Sequence, residues 1–148
     1  MIKSLITALA LSTLCIPQVQ ASSFTENDLL AQFEDMGGRV YIDSELCDKY
    51  NAFGIQQGAS IHLCTEPHGD DIAEWNDTIR HEVWHIVQMC NKGPLSNEPA
   101  VAIAAAHEKG WTTKGYKPDV WHLEAEAHWA ADTYTAKQIA NDLITFCS

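Results

Sequence analysis

Residues 81 to 85 read His-Glu-Val-Trp-His, two imidazoles four residues apart with a carboxylate beside the first. On a helix, positions i and i+4 lie one above the other on one face, so His81 and His85 can reach a single metal ion. Neutral imidazole is a good zinc ligand, and two of them leave room for a third protein ligand and a water. Glu82 leaves the helix about 100° round from His81, beside the ligand face rather than on it. There it can hold a zinc-bound water and take its proton while the water attacks a carbonyl. The expected chemistry is metal-assisted hydrolysis with Glu82 as acid and base. Such a short motif needs an amphipathic helix as its context. Ile72, Trp75, Ile79, Val83, Ile86 and Val87 recur three and four apart, which predicts that helix from about Asp70 to Asn91. Asp70 and Asp71 suit its start, and Gly93-Pro94 its end.

A second acidic cluster follows at Glu124-Ala125-Glu126-Ala127-His128. Together with the HExxH residues it resembles the gluzincin group of zinc metallopeptidases, which carry a glutamate ligand on a later helix. The resemblance implies a zinc ion held by His81, His85 and Glu124, with Glu82 as the catalytic residue and a peptide or protein as substrate. His128 stands where those families usually place an Asp or Asn that orients a ligand histidine. His128, or Asp132 one turn further on, is therefore a candidate for that supporting role. Glu124 and Glu126 project about 200° apart, so only one of them can face the metal. Glu124 shares its side of the helix with Ala127, His128, Ala131 and Asp132, whose small residues let two helices approach. It is the preferred third ligand, with Glu126 as the alternative. A metzincin arrangement would need Gly at position 88 and His at position 91, where this chain has Gln88 and Asn91. Tyr116, Tyr134 and the histidines His62, His68, His107 and His122 are candidates to stabilise an oxyanion. The sequence does not choose among them.

The elements that must position these residues are few. Ser23 and Glu26 suggest a capping box opening a helix from Thr25 to Met36. Arg39–Asp43 and Ala59–Cys64 read as two strands of a short antiparallel sheet, with a turn region at Ile55–Gly58. After the HExxH helix, an alanine-rich helix is expected from Glu98 to Lys109, and one long C-terminal helix from Asp119 nearly to Phe146. The expectation is an α+β, zincin-like fold: a short sheet, the HExxH helix, and a long C-terminal helix closing the site.

Residues 1–21 read as a signal peptide: Lys3, an apolar run from Leu5 to Ile16, and Val19-Gln20-Ala21 as the cleavage site. The run is shorter than the about 20 residues a spanning helix needs. One domain at 22–148 is expected, secreted or periplasmic and without stable membrane insertion. The net charge of −11, or −12 once Lys3 is removed, argues against nucleic acid as a partner. Cys15 leaves with the leader, and an even set remains in Cys47, Cys64, Cys90 and Cys147. In an exported small domain that implies two disulfides. Of three possible pairings, proximity favours Cys47–Cys64 with Cys90–Cys147. The competing functional expectation is an exported, non-catalytic zinc-binding or interaction protein of the same fold, in which packing seals the metal site. A disulfide-stapled domain with no metal is the third.

Overall fold

The computed structural model describes residues 23–96, 99–108, 110 and 112–148. The expected leader lies outside them, as do Trp111 and the two ends, Glu98 and Lys109, of the alanine-rich helix. Helix α1 (Glu26–Asp35) leads to strand β1 (Arg39–Ile42), and the short helix α2 (Glu45–Tyr50) to the hairpin of β2 (Gly54–Gln57) and β3 (Ser60–Leu63). A single turn, α3 (Thr65–His68), precedes the long helix α4 (Ile72–Asn91), and α5 (Pro99–Glu108), α6 (Trp121–Thr133) and α7 (Ala136–Cys147) complete the chain. The α+β class is as expected, with three corrections.

The first correction concerns the sheet. It has three strands in the order β1-β3-β2, and the two expected strands are parallel neighbours, Arg39 opposite Ser60 and Ile42 opposite Leu63. Ile42 and Gly54 both lie level with Leu63, so α2 crosses over at one end of the sheet and β2 carries the chain back, which makes β1 and β3 parallel. The antiparallel partner of β3 is β2, at the segment expected to be a turn. Its Gly-Ile-Gln-Gln sequence has little of the β-branched and aromatic character that marks strands. The turn itself lies one step on, at Gly58, whose φ of 59° suits glycine. Second, the C-terminal helix is two helices. Thr135 takes an extended backbone and forms a reciprocal capping box with Gln138, so α7 starts afresh after Tyr134. Third, the capping box of α1 is made by Thr25 and Asp28 rather than by Ser23 and Glu26.

Helix α4 is the axis around which the rest packs. Its buried Ile79, Val83, Ile86 and Val87 meet Leu29 and Phe33 of α1, Ile61 and Leu63 of β3, and Ile139 and Leu143 of α7. Asp71 opens the helix by accepting from the backbone N–H groups of Ala73 and Glu74, and Lys92 closes it in the left-handed conformation. Buried Ala127, Ala130 and Ala131 let α6 lie close to α4. Arg80 fixes the two further. Its Nε donates to the Ala131 carbonyl at 2.8 Å, and its other nitrogens pair with Glu26 of α1 and with Asp77. Disulfides join Cys47 to Cys64 and Cys90 to Cys147, the pairing favoured from proximity. The second ties the end of α4 to the end of α7. No described helix is long and apolar enough to cross a membrane. Disulfides and the lack of such a helix are compatible with an exported protein.

Candidate metal centre

Helical spacing brings the Nε2 atoms of His81 and His85 to 3.0 Å from each other on one face of α4. From α6, Oε2 of Glu124 approaches them at 3.5 and 3.7 Å. Among the described residues these three form the one group of His, Cys, Asp or Glu side chains close enough to share a metal ion. A triangle with those sides has a circumscribed radius of about 2.0 Å, so one point stands about 2.0 Å from all three atoms, within the range of zinc bonds to imidazole and carboxylate. The donor set, two imidazoles and a carboxylate, therefore fits zinc in kind and in spacing.

Electrostatics favours the unprotonated forms of His81 and Glu124 but not of His85. Burial drives the His81 imidazole down to about 4, so it is neutral near pH 7. Burial also pushes Glu124 upward, but hydrogen bonds with His81 and His85 outweigh it and hold the carboxyl well below the usual carboxylate range. For His85, burial works against protonation and is outweighed by Glu124, Glu82 and Gln88, which raise it.

Glu82 lies beside the triangle, 5% exposed. Burial pushes its carboxyl up to about 7, with smaller opposing influences from His85 downward and Glu124 upward. A group that titrates near neutrality is suited to accept and return a proton. Its place depends on Gly54 of β2. A Cβ at that position would stand 2.6 Å from Cγ of Glu82 and 2.8 Å from Cγ2 of Thr78, so the strand comes this close to the helix only because residue 54 has no side chain. Glycine inside a strand is the mark of such an approach, and it was the signal for β2 that strand propensity did not carry.

The triangle opens into a cleft of about 470 Å³ bounded by Gly54, Ile55 and Gln56 of β2, His81, Glu82 and His85 of α4, and Val120, Leu123 and Glu124 around the start of α6. Tyr116 and Tyr50 also line it. A second hollow of about 560 Å³ continues past Gly54 along Thr78, Asp77 and Glu74, with His128 in its wall. Of the residues considered for an oxyanion, Tyr116 borders the cleft, and the indole of Trp121 donates to its carbonyl at 3.1 Å. Tyr134 instead packs on Trp84 and Trp129, His62 stacks on Tyr41, and His68 sits between Phe53 and Trp75.

Glu126 faces away from the triangle. It is 3% exposed and accepts from the Trp84 indole at 3.3 Å, the Gln88 amide at 2.8 Å, and the backbone N–H groups of Leu95 and Ser96 at 3.1 and 2.5 Å. It anchors the segment after α4 to α6. The hydrogen-bond partner of His85 Nδ1 lies on its own helix rather than on α6: it is Oε1 of Gln88, at 2.8 Å. His128 sets its ring edge against His81 with centroids 4.5 Å apart, yet His81 Nδ1 has no hydrogen-bond partner. Asp132 is exposed. Gln88 was legible in the sequence only as the residue that breaks the metzincin pattern.

A family model described as a domain of unknown function (DUF8637) matches residues 18–148. No curated protein and no solved structure matches the chain.

Proposed function

The chain belongs to the DUF8637 family, and we propose that it is an exported zinc metallopeptidase of zincin-like architecture, secreted or periplasmic. The observation that carries the reading is the juxtaposition of the His81–His85–Glu124 triangle with the buried carboxylate of Glu82 at the floor of an open cleft. A zinc ion held by those three residues would supply a Lewis acid toward a carbonyl oxygen and toward water. The chain's own residues do the rest. Glu82 takes the proton from the attacking water and returns it to the leaving amine. Tyr116, which lines the same cleft, is the candidate to donate toward the carbonyl oxygen. Strand β2 is an edge strand, and an extended peptide can add to such an edge through main-chain hydrogen bonds. The cleft runs along it, which aligns a scissile bond with Glu82.

A non-catalytic metal-binding protein would bury the same ligands under packing; in support of the enzyme reading, Glu82 and the three ligand side chains all line the same cleft. The test is metal analysis of the purified chain together with digestion of a diverse peptide library. About one zinc per chain and cleavage that a chelator stops are expected. Zinc with no cleavage of any library member would reduce the function to metal binding, and neither would remove the reading altogether.

A further inference from the structure

Beyond the three ligands, we propose that Gln88, held in place by Glu126, fixes the tautomer of His85 so that its Nε2 presents a lone pair to the ligand triangle. The side-chain amide of Gln88 is 3% exposed. Its NH₂ group donates to the Leu123 carbonyl at 3.0 Å and to Oε2 of Glu126 at 2.8 Å. A backbone carbonyl offers only acceptor capacity, and the Glu126 carboxylate already accepts from Trp84, Leu95 and Ser96. The amide therefore cannot be turned round without setting its oxygen against two acceptors. Its orientation leaves Oε1 facing His85 Nδ1 at 2.8 Å. An amide oxygen only accepts, so Nδ1 carries the hydrogen and Nε2 carries the lone pair. The other tautomer would aim an N–H at the triangle and prevent ligation. His81 lacks any such device, since its Nδ1 is buried without a partner. Gln88 and Glu126 are thus positioning residues, and Glu126 contributes to the metal site without touching it.

The inference rests on the zinc reading for its purpose, but the tautomer is observable without zinc. Nitrogen-15 NMR of the metal-free, full-length protein at alkaline pH, where the imidazole is neutral, distinguishes the two ring nitrogens. His85 is expected to show protonated Nδ1 and unprotonated Nε2. In Gln88→Met, which keeps the bulk and removes the acceptor, the proton should redistribute between the nitrogens, and zinc affinity should fall by about 10–100-fold, the usual cost of losing an outer-shell partner. His62 of β3, whose Nδ1 pairs with the Ser44 hydroxyl at 2.8 Å, serves as the internal control and should stay put. A wild-type His85 protonated on Nε2 overturns the inference with no variant needed. So does a folded Gln88→Met protein that keeps both the tautomer and the wild-type zinc affinity. Wild-type protein that shows the expected tautomer but binds no zinc upholds the hydrogen-bond inference and removes the zinc reading instead, so the two failures are distinct.

Discussion

Glu82→Gln is expected to lower peptide cleavage by at least about a hundredfold while zinc content stays near one per chain. General acid–base groups typically contribute about 10²–10⁴ in rate, and this substitution removes only that contribution. The amide has the same shape and is still able to orient a water, but it cannot accept the water's proton. Glu82 lies outside the triangle of ligand atoms, so metal affinity should change little. The fold should also survive. The carboxylate is 5% exposed, and a neutral amide in that position carries no charge to desolvate. Steady-state cleavage and elemental analysis on the same preparation check both halves. A variant that cleaves at the wild-type rate would exclude Glu82 as the base. Zinc loss in step with activity would make it a ligand instead.

Glu124→Ala should cost far more zinc affinity than Glu126→Ala, because Glu124 alone of the two reaches the histidines. Losing a direct ligand should exceed the about 10–100-fold that outer-shell partners cost. Glu126→Ala should show its main effect elsewhere. It strips an acceptor from the Trp84 indole, the Gln88 amide and two backbone N–H groups. Each buried donor left unpaired costs about 1–3 kcal/mol, so thermal stability falls before zinc does. Competition with a zinc chelator of known affinity, alongside thermal unfolding of the metal-free proteins, separates the two. If Glu126→Ala sheds the metal while Glu124→Ala keeps it, the third ligand is misassigned.

The ligand helix was readable in the sequence because every signal over Asp71–Lys92 agrees: periodicity, cap and motif spacing. The rest was less legible where the chain decides by contact rather than by pattern. Most of strand β2 falls in the Ile55–Gly58 segment read as a turn region, and its glutamines carry little strand signal until Glu82 and Thr78 are seen to require a glycine at position 54. The break between α6 and α7 hides because no Gly or Pro marks it, only the weak helix formers Asp132 to Thr135, and one Thr-x-x-Gln capping box decides it. Rotation about the helix axis is sufficient to set Glu124 and Glu126 on opposite sides. It does not say which side faces the histidines, and the distances to His81 and His85 do. The support of His85 by Gln88 could not be anticipated from the family resemblance, which points to α6 for that role rather than to the next turn of α4.

The most direct test of the account is a zinc titration of chelator-treated protein in which metal occupancy and the rate of cleavage of one good library peptide are followed together. The account predicts negligible cleavage without metal and a rate that rises in proportion to occupancy, levelling off at about one zinc per chain. Full cleavage before any zinc is returned, or a filled site with no rise in rate, would contradict it.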